Sequence, residues 1–118
     1  MNGNTNGTIL LDIQEYEDRN GSSPFAEWFE KLDPTAAAKV TVFLARLGQG
    51  NTSNVKRLQR GLLELRIDFG PGYRVYFGKD GETLVILLGG GTKKRQQRDI
   101  EKAIGCWDDY RGRIGRKV

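Results

Sequence analysis

The sequence predicts one α+β domain with the element order β-α-α-β-β-β-α and a mainly antiparallel sheet. Three observations carry this: segments in which apolar residues alternate at period two, two places where a capping residue is followed by proline, and a helical apolar stripe near the C-terminus. At 118 residues the chain has room for one modest core and not for two. Its apolar fraction of 37% is low and its charged fraction of 29% high, but the apolar residues cluster periodically, as a folded core requires.

Within residues 8–16, Ile9, Leu11 and Ile13 fall on one face, as in a half-buried strand. Asn20-Gly21-Ser22 ends it, and Ser23-Pro24 supplies an N-cap with proline at the first helical position. Phe25, Trp28, Phe29 and Leu32 follow at helical spacing. Asp33-Pro34 repeats the device, so a second helix starts at once, with Ala37, Val40, Phe43, Leu44 and Leu47 as its stripe and Gly48 as a left-handed stop. The pair forms a helical hairpin.

Residues 49–54 are a loop, and residues 55–61 lead from it into a strand over residues 62–69. There Leu63, Leu65, Ile67 and Phe69 share one face, and Glu64, Arg66 and Asp68 share the other. Gly70-Pro71-Gly72 turns the chain, and Tyr73, Val75 and Phe77 alternate with Arg74 and Tyr76. Pairing Phe69 with Tyr73 sets Asp68 opposite Arg74 and Arg66 opposite Tyr76 on a polar surface. Residues 78–82 turn again into the unbroken apolar run of residues 83–88, a strand covered on both faces and central in the sheet. Gly89-Gly90-Gly91 then opens a helix carrying Ile100, Ala103, Ile104 and Trp107 on one stripe. Residues 1–7 are expected to be a disordered tail, residues 8–110 the domain, and residues 111–118 a loose basic tail.

The composition excludes several chemistries. There is no histidine, and Cys106 is the lone cysteine, so no disulfide, multi-cysteine metal site or histidine-activated nucleophile exists within the chain. No metal and no cofactor are expected, and the acids Glu15, Glu17, Asp18, Glu27 and Glu30 lack metal-site spacing. No segment has the length or apolarity of a membrane span or a signal peptide, so a cytoplasmic protein with no membrane partner is expected. Charge is polarised: residues 1–33 carry two cations and seven acids, and the remainder carries 17 cations and eight acids. A basic body of this kind suits a polyanion.

Several elements aim cations at one region. Arg66, Arg74 and Tyr76 project from neighbouring strands, Lys56, Arg57 and Arg60 precede them, and Lys93, Lys94 and Arg95 leave the last strand with Arg98 behind. Two readings stand side by side. In one, Arg74–Asp68 is a cross-strand ion pair, Arg66 lies over the Tyr76 ring, and Lys93 to Arg98 form a solvated helical face compensated by Asp99 and Glu101. In the other, crowded like charge awaits a phosphate chain at a helix start whose free N–H groups already favour anions. The full phosphate-loop pattern is absent. Tyr16, Tyr76 and Tyr110 are candidate base-stacking rings, whereas Phe25, Trp28, Phe29 and Phe43 read as core.

The element order, Val55-Lys56-Arg57-Leu58 with Gly61-Leu62-Leu63-Glu64-Leu65-Arg66-Ile67, the Gly-Pro-Gly-Tyr-Arg-Val-Tyr-Phe hairpin, and Leu-Leu-Gly-Gly-Gly-x-Lys-Lys-x-Gln-Gln-x-Asp-Ile-x-x-Ala together resemble the RelE/ParE toxin superfamily. The likeness runs over residues 8–110 and is strongest to its HigB-like, phage-derived addiction module killer branch. It implies a RelE-like fold and the toxin half of a type II toxin–antitoxin system: a metal-independent endoribonuclease that cuts mRNA on the ribosome and inhibits translation. The partner implied is a cognate antitoxin with a helix-turn-helix fold. A ParE-like inhibitor of DNA gyrase and an inactive prophage remnant are the alternatives. By position, Arg74 matches the family's phosphate-binding arginine, Arg66 a basic residue on the preceding strand, Lys56 the lysine before it, and Lys94 with Lys93 the basic position after the last strand; these five are the candidate catalytic residues. Arg57, Arg60, Tyr76, Arg95 and Arg98 are the candidate RNA-binding residues. Glu64 stands where some relatives carry a second lysine, and Ile100 where they carry a tyrosine.

Overall fold

The structure, a computed structural model, describes residues 9–116. Five strands form one sheet in the order β1-β5-β4-β3-β2: β1 (Asp12–Glu15), β2 (Val55–Arg57), β3 (Leu63–Ile67), β4 (Tyr73–Asp80) and β5 (Leu84–Thr92). β1 runs parallel to β5, and every other pairing is antiparallel. Helices α1 (Pro24–Glu30) and α2 (Pro34–Gly48) cover one face, packing Phe25, Val40 and Leu47 against Leu65, Ile67, Val75, Phe77, Val85 and Leu87. Helix α3 (Gln96–Arg116) covers the other, setting Ile100, Ala103 and Trp107 on Leu62, Tyr76, Ile86 and Leu88. The result is three layers around two cores, and the face expected to be an open polar surface lies partly under α3. Among the described residues no helix is long and apolar enough to cross a membrane.

Both capped helix starts form as the sequence predicts. Ser23 Oγ accepts from the Ala26 N–H at 3.0 Å and Asp33 Oδ1 from that of Ala36 at 2.9 Å, with Pro24 and Pro34 at the first helical position. Replacing Asp33 by alanine should cost about 1 kcal/mol and lower Tm by roughly 4–8 °C, whereas Asp33→Asn should stay near the parent in the same melt.

Several expectations need correction. The first strand shrinks to β1 because pairing begins only where β5 begins; Ile9 and Leu10 are 52% and 63% exposed, and the Leu11 N–H goes to the Gly48 carbonyl. The left-handed stop of α2 is Gly50 (φ 91°), not Gly48, which is still helical. β2 is a short edge strand that periodicity could not reveal in three residues. The β3–β4 hairpin closes on Ile67–Tyr73, leaving residues 68–72 as a five-residue loop in which Gly70 and Gly72 take left-handed backbone angles and the Phe69 N–H turns back to the Ile67 carbonyl. Arg66 therefore faces Arg74, and Glu64 faces Tyr76.

Gly78 and the triple glycine, expected in a turn and at a helix start, belong to strands. β4 continues through Gly78 to Asp80, with the Trp107 ring seated on Gly78. β5 continues through the triple glycine to Thr92, and β4 is the middle strand of the five. A Cβ on Gly90 would meet the Trp28 ring, and one on Gly91 the Asp99 carboxylate. Bare backbone thus lets α1 and α3 approach β5 from its two sides.

The expected start of the last helix is a 3-10 turn over Lys93–Arg95 ahead of α3, and α3 itself runs through Arg116, so the tail expected to be loose from residue 111 is helical that far. Arg113 holds it, donating through Nε to Asp109 at 3.0 Å and through Nη2 to the Glu17 carbonyl at 2.8 Å. The expected N-terminal tail, residues 1–7, and residues 117–118 lie outside the described residues. Tyr16 donates to Asp109 and Tyr110 to Asp80, each at 2.7 Å. Burial, reinforced by those carboxylates, pushes both hydroxyls up to about 12. A hydroxyl raised above its unfolded value near 10 contributes stability that is complete below pH 10 and is lost as pH rises toward 12. The urea midpoint should therefore fall through that window, and less steeply in Tyr16→Phe.

Candidate nucleic-acid interface

The centre of the site is a carboxylate. Strand β3 places Glu64 on the α3 face with no exposure to solvent. Its Oε1 accepts from Arg66 Nε at 2.9 Å, its Oε2 from Gln96 Nε2 at 2.6 Å, and Arg74 Nε lies 3.9 Å from Oε2. A buried charge persists only when paired and hydrogen-bonded, and these three groups serve that need. Arg66 and Arg74 face each other across the β3–β4 ladder, where like charges repel, and the shared carboxylate holds them together. Two guanidiniums over one carboxylate leave a positive charge in excess.

Two donors at this centre lack partners. Arg74 Nε and Tyr76 Oη are buried without a hydrogen bond. Burial, and then the nearby Glu64 and Asp99, push the Tyr76 hydroxyl far above its ordinary range, so it stays a neutral donor. Asp99, in the first turn of α3, is drawn over Gly91; burial raises its carboxyl above the usual carboxylate range, and Arg95, Lys102 and Arg98 pull it back.

Around this centre the cations stand open. Lys56 pairs in register with Glu64, and it lines a hollow of about 440 Å³ with Ser53, Asn54, Arg57, Arg66 and Asp68. Lys94, Arg95, Gln97 and Arg98 border a second of about 290 Å³ at the start of α3. Lys93 lies beside Gly72, its N–H bonded to that carbonyl. Among the described residues, Lys56, Arg57, Lys93, Lys94, Arg95 and Arg98 form no ion pair within 4 Å. A larger cleft of about 510 Å³ lies over Gly89 and Gly90 between α1 and α3, where Glu27 and Asp99 mix with Lys31, Arg95, Arg98 and Lys102. It includes none of Lys56, Arg66 and Arg74.

The structure thus brings together Lys56, Arg66 and Arg74, with Lys93, Lys94, Arg95 and Arg98 along the start of α3. Arg60 is elsewhere: it pairs with Asp108 at 3.2 Å, about 15 Å along α3 from Arg98 at 1.5 Å per residue. Tyr76 cannot stack on a base because α3 buries it completely, and Tyr16 is likewise buried. The expected Arg74–Asp68 pair and the Arg66–Tyr76 stacking give way to Glu64, a consequence of the two-residue change in hairpin register. Sequence reasoning placed Glu64 on the polar face and missed its part as hub, along with Gln96 and Asp99. The spacing of Gln96, Asp99, Ile100 and Ala103 was the available signal, since residues three and four apart share a helix face. Among the described residues no group of three or more acids and cysteines could hold a metal.

This arrangement can bind phosphates and stabilise negative charge building on their oxygens. A family described as phage derived protein Gp49-like matches residues 27–104. A relative from Haemophilus influenzae, described as an uncharacterized protein, is 45% identical over 80 residues, which are 67% of this chain and 81% of that one. Among solved structures, the toxin–antitoxin complex RelBE2 from Mycobacterium tuberculosis is similar with a TM-score of 0.56 and 20% identity, over 72% of this chain and 93% of that one. At that identity the likeness speaks for the fold, which is RelE-like.

Proposed function

Because the chain belongs to the phage-derived Gp49-like family, we propose that it is the toxin of a toxin–antitoxin pair, acting as an endoribonuclease on mRNA bound to the ribosome. The observation that carries this is the facing pair Arg66 and Arg74 over a single buried carboxylate, ringed by unpaired cations. The RelE-like fold, one similar solved structure of which is a toxin–antitoxin complex, supports an antitoxin as partner; a helix-turn-helix protein encoded beside it is the expected form.

RNA brings its own nucleophile, so a chain without histidine suffices. The 2′-oxygen forms a bond to the adjacent phosphorus as the bond to the 5′-oxygen breaks, leaving a 2′,3′-cyclic phosphate and a 5′-hydroxyl. Arg74 and Arg66 stabilise the charge gathering on the phosphate oxygens, the step at which preorganised donors contribute most. Lys56 or Lys93, both exposed, supplies a proton to the departing oxygen while the 2′-proton passes to water. Lys94, Arg95, Arg98 and Arg57 track the flanking phosphates.

Induced expression followed by mapping of message 5′ ends tests this. Translational arrest with new 5′-hydroxyl ends is expected; DNA damage with intact messages would point instead to gyrase, and unimpaired growth to a spent remnant. Binding should also weaken with salt, and Lys94→Ala or Arg95→Ala should each reduce the slope of log K against log salt by about 0.7 on single-stranded RNA.

A further inference from the structure

Glu64 takes no part in the reaction proposed above, yet it is the group on which the site converges. A well-packed apolar residue between Leu63 and Leu65 would serve stability at least as well as a buried ion pair. The partners of the carboxylate are also uneven. Arg66, 39% exposed, is hydrogen-bonded to it; Arg74, 7% exposed, is drawn toward it but left 3.9 Å away with its Nε–H unused; Gln96 fastens the other oxygen to the start of α3. Arg66 can swing to solvent, and Arg74 cannot.

We infer that Glu64 is the positioning residue of the phosphate site: it keeps Arg74 oriented, holds Arg66 in reserve, and yields Arg66 to an incoming phosphate. This rests on the nucleic-acid reading of the same site. Three features follow from it. The single excess positive charge at the centre matches one phosphodiester. The Arg74 Nε–H, 3.9 Å from Glu64 and without a hydrogen bond, is a donor left over beside the carboxylate. The Gln96 bond couples the site to the first turn of α3, where Arg95 and Arg98 reach outward.

The test uses the full chain and a short RNA oligonucleotide with 2′-O-methyl riboses, which can bind but has no nucleophile, alongside single-turnover cleavage on programmed ribosomes. Glu64→Gln is expected to bind the oligonucleotide about 3- to 10-fold more tightly at low salt, since both arginines are then free of a competing anion. The same change should lower kcat at least tenfold, since the arginines lose their common anchor. Glu64→Asp should return affinity to near the parental value and recover part of kcat. Gln96→Leu frees Oε2 to draw Arg74 in, and should weaken binding two- to threefold. This opposite sign decides the matter if Glu64→Gln does not fold.

Unchanged Kd in both Glu64→Gln and Gln96→Leu, with only Tm lowered, overturns the inference and leaves Glu64 a structural residue. If the parent binds the oligonucleotide but cleaves no message, the nuclease reading fails while the paired Kd shifts still decide the role of Glu64. A parent that binds no oligonucleotide in low salt overturns both.

Discussion

Arg74→Ala should slow message cleavage by about 10²–10³-fold, the loss expected when one preorganised donor to a developing oxyanion is removed. Arg74 is nearly buried, 3.9 Å from the Glu64 carboxylate on the middle strand of the sheet, and reaches the site without having to be ordered first. Arg66 is more exposed and must leave a hydrogen bond to act, so Arg66→Ala should cost less, about tenfold. The fold should survive the Arg74 change, because Arg66 and Gln96 still satisfy the Glu64 carboxylate. Near-UV circular dichroism would check that point. Arg74→Lys keeps the charge but not the planar fork, and should recover no more than a small part of the rate. Single-turnover cleavage on programmed ribosomes measures all four proteins, and an Arg74→Ala protein cutting at the parental rate would falsify the mechanism.

Gly78→Ala should be strongly destabilising although it adds a single methyl far from the site. Its Cβ would lie 2.6 Å from three atoms of the Trp107 ring. That ring has little room to retreat: it is 4% exposed, stacked on Tyr110 at 5.4 Å with Arg111 over it at 5.2 Å, and Tyr110 is itself tied to Asp80. Overpacking of this kind costs about 2–3 kcal/mol, or roughly 8–24 °C in Tm at the same conversion. Trp107→Leu in the same chain should recover part of the loss, so the two changes should be non-additive. Gly105→Ala is the control. Gly105 faces open space within α3, and there the methyl should stabilise by about 0.5–1 kcal/mol.

Local chemistry made most of the fold readable. Ser23-Pro24 and Asp33-Pro34 state where the helices begin, because a cap and a proline act on their own neighbours. Alternation identified β3 and β4, and an unbroken apolar run identified β5; in β3 and β4 the two faces were separated correctly even where the partner was wrong, since a change of two residues in register preserves the face, although the face read as polar and open lies under α3. Contacts supplied from far along the chain were not legible. Nothing near Gly78 or Gly90 announces the tryptophans that lie on them, so Gly78 reads as part of a turn and Gly90 as the start of a helix. The same applies to the site. Its cations were legible as types in sequence, but the carboxylate joining Arg66 and Arg74 could be recognised only once α3 had closed over Glu64 and brought Gln96 to it. A charged residue on an alternating strand reads as solvent-facing until the covering layer is known.

The pairing of β1 with β5 has a consequence for synthesis. Asp12 emerges among the first residues but has no partner until Leu84 has been made, and the closing helix follows later still. Such distant pairings are slow to form. During synthesis the first strand therefore stays unmatched until β5 has been made, and Glu64 stays uncovered until the start of α3 has followed it.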